Sequence, residues 1–85
     1  MRSVPDKVKM PEALAAIRKC AEDGVQILGV DGFVVAHEGF LAPLDLLLDV
    51  SDKRLTSEQA AAHAEAFVLL KDRPDVLWEV WTENS

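Results

Sequence analysis

Four carboxylates at matched spacing are the residues most able to do chemistry in this sequence. Asp45 and Asp49 lie four positions apart, and so do Glu79 and Glu83. Because alternate side chains of a β-strand project from one face, each pair lies on one side if its segment is a strand. If the neighbouring Trp78 faces inward, both pairs share an outer face. That face combines acidic and apolar side chains: Asp45, Leu47, Asp49, Leu77, Glu79, Trp81 and Glu83.

This acidic and apolar face has three interpretations. In the first, the amino-terminal segment, a loop or a second copy of the chain covers Leu47 and Trp81, and the carboxylates are solvated at the rim. In the second, the face binds a basic protein, because aromatic residues are enriched at interface hot spots and carboxylates steer cationic partners. In the third, paired carboxylates hold Mg²⁺ for catalysis, which requires a substrate pocket that 85 residues have little volume to form.

Other reactive side chains lack partners at a catalytic or metal-binding spacing. His37 falls in a candidate turn, and His63 has no second histidine four residues away, which is the spacing of a helical zinc site. Cys20 lies among alanines and Ile17, which predicts a position in the core. The sequence therefore indicates no catalytic residue, no metal ligand and no cofactor.

Charge is distributed unevenly along the chain. The formal net charge is -6, with +2 in residues 1–9 and -8 in the remainder. An acidic body repels phosphate backbones and anionic lipid headgroups, so we expect no nucleic-acid or membrane partner and favour a basic protein. The single cysteine suits a reducing compartment, and we expect a cytoplasmic location.

Two segments carry the signals of helices. The first spans about residues 11–23, because Pro11 suits the first helical turn and Gly24 suits the left-handed residue that ends a helix. The second begins at Thr56, where Thr56 and Gln59 match a capping box, and continues to about Lys71.

The segment between the helices contains an ambiguous turn. Asp31-Gly32 separates Val25–Val30 from Phe33–Ala36 and is a strong signal for a two-residue hairpin. The alternative is one long, bulged strand over residues 25–36, with the turn at His37-Glu38-Gly39. The hairpin is the preferred prediction.

Two further apolar segments complete the predicted fold. Leu44–Val50 and Val76–Thr82 both suit strands, and the helix between them predicts a right-handed parallel crossover. The fold class is then α/β of the α+β type: two helices on one face of a small mixed sheet of three to four strands, in the order α-β-β-(β)-α-β. Residues 1–10 are predicted to form a flexible basic arm, and residues 11–85 a single domain.

These inferences favour a non-enzymatic, acidic protein-binding domain, such as an inhibitor or immunity-like partner of a basic protein. The first alternative is a homodimeric structural or regulatory domain. The remote alternative is a carboxylate-based, Mg-dependent enzyme.

Overall fold

Two helices pack on one face of a small antiparallel sheet in the computed structural model, which describes residues 2–3 and 6–83. The predicted α+β class, with both helices on one face of the sheet, is thereby confirmed. Over the described residues the sheet has five strands rather than three to four, and its strand pairings are antiparallel rather than mixed. The elements, in chain order, are β1 (Arg2–Ser3), α1 (Met10–Asp23), β2 (Ile27–Ala36), β3 (Gly39–Leu41), a 3-10 turn (Leu44–Leu46), β4 (Leu47–Asp49), α2 (Ser57–Lys71) and β5 (Val76–Thr82).

The long strand β2 is the centre of the sheet. It pairs with β5 along one edge and with both β3 and β4 along the other, and β1 lies outside β5. All of these pairings are antiparallel. The strands β4 and β5 therefore run in the same direction, as the crossover prediction requires, but β2 lies between them and the connection through α2 passes over one strand.

The preferred hairpin at Asp31-Gly32 is wrong, and the alternative of one long strand describes the structure. Strand β2 continues through both residues and pairs with β5 on each side of them. Its register shifts between Ile27 and Gly29, as a bulge requires. The turn falls at His37-Glu38, between β2 and β3.

Close packing, rather than turn geometry, explains the glycine at position 32. A Cβ atom there would lie 2.9 Å from the Cβ of Leu46 and 2.9 Å from Cζ3 of Trp78. Since real Cβ contacts are longer than this, Gly32 lets both side chains approach the centre of β2.

The predicted strand Leu44–Val50 is shorter than expected. The Leu46 amide donates to the Pro43 carbonyl at 2.9 Å, so the chain coils through a 3-10 turn before β4 begins. The alternation that places Asp45, Leu47 and Asp49 outward would place Leu44 toward the core, but Leu44 is 86% exposed, so strand alternation fails there. It holds beyond the turn, where Val50 is buried.

Both helices follow the predicted capping signals. Gly24 ends α1 with φ 68°, in the left-handed region. At the start of α2, the Gln59 amide donates to Thr56 Oγ1 at 3.0 Å, and the Thr56 amide donates to Gln59 Oε1 at 2.9 Å. These reciprocal bonds satisfy backbone donors that have no partner inside the helix.

The core lies between the helices and the covered face of the sheet. Trp78 is its largest fully buried side chain; its ring packs edge-on against Phe67, and its Nε1 donates to Asp72 Oδ1 at 2.9 Å. Cys20 is buried as predicted, and this burial raises the pKa of its thiol. The buried apolar residues are Ala13, Leu14, Ile17, Cys20, Ile27, Val30, Leu46, Val50, Ala60, Ala61, Ala64, Val68, Val76, Trp78 and Val80.

The described part of the amino-terminal segment follows the outer edge of β5. Ser3 pairs with Trp81, and Val8 exchanges two backbone hydrogen bonds with Trp78, at 2.9 and 2.7 Å. Met10 already belongs to α1. The flexibility of residues 1–10 and the division from residues 11–85 stay predictions. Within the described residues, neither helix has the length and apolar character needed to cross a membrane.

Candidate functional site

The sheet face opposite the helices, called the open face below, carries the acidic and apolar side chains that the sequence pattern grouped together. Directly paired residues project from the same face, so the strand registers identify its members. They are Gly29, Asp31, Phe33 and Val35 of β2, Phe40 of β3, Leu47 and Asp49 of β4, and Leu77, Glu79 and Trp81 of β5.

Five of the seven predicted site residues lie on this open face by register: Leu47, Asp49, Leu77, Glu79 and Trp81. The strand registers do not include the other two. Asp45 belongs to the 3-10 turn, so the strand alternation used to place it does not apply. Glu83 follows the end of β5, and its amide donates to the Gln26 carbonyl at 2.9 Å.

A cavity of about 450 Å³ opens beside Trp81. Gly29 lies in register between Trp81 on one neighbouring strand and Asp49 on the other. Since glycine has no side chain, the face is hollow at this point. A Cβ atom on Gly29 would lie 2.6 Å from the backbone oxygen of Leu48, so the strand geometry itself requires glycine here. The lining residues are Leu28, Gly29, Asp31, Leu48, Asp49, Ser51 and Trp81.

Two fixed carboxylates lie at this cavity. The Trp81 indole Nε1 donates to Asp31 Oδ2 at 2.7 Å. Asp49 Oδ1 accepts from Ser51 Oγ at 2.6 Å and from the Ser51 amide at 2.9 Å, and these bonds hold the pKa of Asp49 below its ordinary value. The cavity thus combines an aromatic wall with oriented negative charge, which suits a cationic group.

A second cavity, of about 420 Å³, adjoins the first. Leu28 and Ser51 line both. Its rim includes Glu83 and Asp52, and Asp52 is held by two hydrogen bonds from the Arg54 guanidinium, at 2.9 and 3.2 Å. Glu83 therefore lies at a cavity that adjoins the one beside Trp81.

A different cluster occupies the part of the open face next to the amino-terminal segment. Lys7 Nζ lies 2.9 Å from Glu79 Oε1, 4.8 Å from the ring centroid of Phe33 and 5.4 Å from that of Phe40. Burial raises the pKa of Glu79, whereas the Lys7 hydrogen bond opposes this rise. The same hydrogen bond raises the pKa of Lys7. The pair is therefore a charged, partly desolvated contact.

Sequence reasoning missed Asp31, Lys7, Phe33 and Phe40. The preferred hairpin placed Asp31 in a turn, so this residue was not assigned to either face of a strand. The alternative strand over residues 25–36 contained the necessary signal, because alternation through it places Asp31 and Phe33 on one side. No local signal locates Lys7, whose position follows from the pairing of Val8 with β5.

The histidines lie where they were predicted, outside these cavities. His37 is exposed in the turn after β2, and His63 is exposed on α2. Among residues 6–83, no three His, Cys, Asp or Glu side chains are arranged so that they could hold a metal ion.

No protein-family model, curated protein or solved structure matches this chain significantly. Its function is therefore inferred from the open face.

Proposed function

We propose that this protein is a non-enzymatic binding domain for a basic protein and that the open face is its binding surface. The observation that carries the proposal is the cavity beside Trp81, where an indole wall meets the carboxylates of Asp31 and Asp49. Aromatic residues at the edge of a pocket are typical binding anchors. A lysine or arginine side chain of the partner fits the chemistry of this cavity.

The charges of the chain support a cationic partner. The net charge of -6 favours approach of a basic protein from solution. Asp49 stays ionised at neutral pH because Ser51 stabilises its charged form. An inhibitor or immunity-like role is one form of this activity, and the buried, free thiol of Cys20 supports a cytoplasmic setting.

Affinity capture with matched baits tests this function. The native protein, Trp81→Ala and Leu70→Ala serve as baits for cytoplasmic proteins; Leu70 is the control because it is apolar, 78% exposed and on α2, away from the open face. We expect a basic protein that binds the native and Leu70→Ala baits and is reduced about tenfold or more on Trp81→Ala. Raising salt from about 0.05 to 0.5 M should also release it.

Two results of this capture experiment would contradict the proposal. One is a specific partner that Trp81→Ala retains as well as the native bait does. The other is an association that does not respond to salt, because the attraction between an acidic protein and a basic partner must weaken when ions screen it.

Homodimerisation is the second candidate function, favoured by the exposed apolar residues near one edge of the sheet. In the described structure β3 and β4 each pair with β2 alone, and the exposed side chains there are Val35, Phe40, Leu41, Leu44 and Leu47. Such edges can pair with a second copy. Light scattering distinguishes the candidates: a stable dimer that Leu44→Glu dissociates supports this one, and a monomer at all concentrations excludes it.

A further inference from the structure

Lys7 is bound on the open face in the way that a ligand would be. Its ammonium donates to the Glu79 carboxylate at 2.9 Å and lies within 6 Å of two aromatic ring centroids. The Phe33 and Phe40 rings are nearly perpendicular, at 82°, with centroids 6.5 Å apart, so they form two walls of a corner. Carboxylate and ring faces together attract an alkylammonium group.

When it is ionised, Glu79 requires a cation whether or not Lys7 supplies it. Its side chain is only 7% exposed, and a carboxylate removed from water is unfavourable unless it is paired. Its neighbour across the strand pair is Asp31, whose carboxylate accepts from Trp81 and adds negative charge to this region. Any ammonium that reaches the corner therefore meets the same attraction.

The Lys7 side chain can leave without detaching the segment that carries it. Val8 is fixed to β5 by its two backbone hydrogen bonds with Trp78. Lys7 itself has φ 45°, a left-handed conformation that is unfavourable for a residue with a side chain. Its side chain is 31% exposed, so a competing group can approach from solvent.

We propose that Glu79, Phe33 and Phe40 form an alkylammonium-binding site, that Lys7 fills this site within the chain, and that a lysine of the basic partner takes its place. The identity of the occupant rests on the proposed function. The existence of the site does not rest on the proposed function, because the Lys7 ammonium already occupies it in the structure. Lys7 is then an intramolecular competitor, which lowers the affinity of a partner whose lysine must displace it.

Replacement of Lys7 by methionine empties the site of its ammonium, and n-butylammonium is the probe that refills it. Lys7→Met should bind n-butylammonium at least about tenfold more tightly than the native protein, the factor that one charge-assisted hydrogen bond supplies. The readouts are chemical shifts of Glu79 and Phe33 and the increase in urea midpoint at about 0.1 M probe. If Lys7→Met is unfolded, the probe should restore the circular dichroism of the folded chain.

Matched variants separate this site from general attraction between charges. Lys9→Met removes the same charge from the same segment, but Lys9 Nζ donates to the exposed Pro74 carbonyl and should not affect probe binding. Adding Glu79→Gln to Lys7→Met should abolish the gain. n-Butyltrimethylammonium, which has no N–H to donate, should bind more weakly than n-butylammonium.

The proposal is overturned if Lys7→Met responds to n-butylammonium no more than Lys9→Met does, or stays unfolded in its presence. That result, with partner capture still dependent on Trp81, would leave the proposed function intact. A gain in probe binding, with capture independent of Trp81, would instead retain the ammonium site and reject the Trp81 surface.

Discussion

Trp78 and Trp81 belong to the same strand but lie on opposite faces of the sheet. Each indole N–H has an aspartate acceptor, Asp72 for Trp78 and Asp31 for Trp81, at 2.9 and 2.7 Å. Trp78 is 0% exposed and anchors the end of α2, because Asp72 is the residue that caps this helix. Trp81 leaves part of its surface at a cavity. One strand therefore supplies a structural tryptophan and a tryptophan available for binding.

The glycines of β2 show the same division between the faces. Gly32 faces the core, where side chains of Trp78 and Leu46 occupy the space that its Cβ would need. Gly29 belongs to the open face, where the backbone oxygen of Leu48 leaves no room for a Cβ atom. On the covered face, absence of a side chain allows packing; on the open face, it leaves a hollow.

The largest predicted effect separates the two tryptophans. Trp78→Ala should reduce the free energy of unfolding by about 3–5 kcal/mol, the usual cost of removing a buried aromatic side chain. Trp81→Ala should cost about 1 kcal/mol, because its ring is partly exposed and its loss mainly frees Asp31 to bind water. Urea unfolding followed by circular dichroism measures both values.

Fluorescence provides the control, since each variant retains a single tryptophan. Trp78→Ala should leave an emission that responds to solvent quenchers, and Trp81→Ala one that is protected until unfolding. Equal destabilisation by both variants would contradict the division of roles.

The next largest effect concerns Gly29 and Gly32. Either glycine replaced by alanine should lower stability by about 1–3 kcal/mol through overpacking. Gly29→Ala should cost more, because the Leu48 carbonyl at 2.6 Å is backbone and can move only if β4 shifts. Urea midpoints rank the two variants, and amide exchange at Leu47–Asp49 should accelerate in Gly29→Ala alone. If Gly32→Ala lost more stability than Gly29→Ala, the side chains around Gly32 would be less able to move than strand β4.

A smaller effect depends on pH and on the Lys7–Glu79 contact. The pKa of Glu79 in the folded state is raised above its ordinary value of 4.5. A group with a raised pKa contributes stability below its unfolded pKa and loses that contribution as pH rises through the folded pKa. The Lys7 hydrogen bond limits the rise, while the neighbouring Asp6 adds to it.

Lys7→Met should therefore lose more stability than the native protein as pH rises from about 4.5 to 7. Urea midpoints across this range measure the difference. Lys9→Met is the control and should follow the native profile. A Lys7→Met profile parallel to the native one would mean that Lys7 does not affect ionisation of Glu79.

The smallest effect has the opposite sign and occurs at Asp49. Hydrogen bonds from Ser51 lower its pKa below 3.8, so it contributes stability above that value and loses it as pH falls. Asp49→Asn should thus lower the urea midpoint slightly at neutral pH, and this difference should shrink near pH 2.5 as the carboxylate of the native protein becomes protonated. Equal differences at both pH values would contradict this ionisation effect.

The predictable parts of this fold are those whose causes lie close together in sequence. The Thr56 capping box, Gly24 at the end of α1 and the alternating pattern of β5 were recognisable because each depends on neighbouring residues. The role of Gly32 was not, because Trp78, which packs against it, is remote in sequence. An aspartate before a glycine is a turn signal only when no tertiary contact overrides it.

The candidate site likewise contains features that depend on neighbouring residues and features that depend on remote contacts. Alternation correctly grouped Leu47, Asp49 and Trp81, since it requires only that each segment be a strand. The meeting of Asp31 with Trp81 depends on the register between β2 and β5, and that of Lys7 with Glu79 depends on the course of the amino-terminal segment. Neither register is encoded locally.

The position of β2 has a consequence for the order of events during synthesis. Its longest partner is β5, and the bonded pair Asp31 and Trp81 is separated by 50 positions. Ribosomes add roughly 5–20 residues per second, so β5 is synthesised several seconds after β2. Until residues 76–82 emerge, the apolar surfaces of β2 and of both helices lack Trp78. We therefore expect the nascent chain to remain unfolded until β5 has emerged.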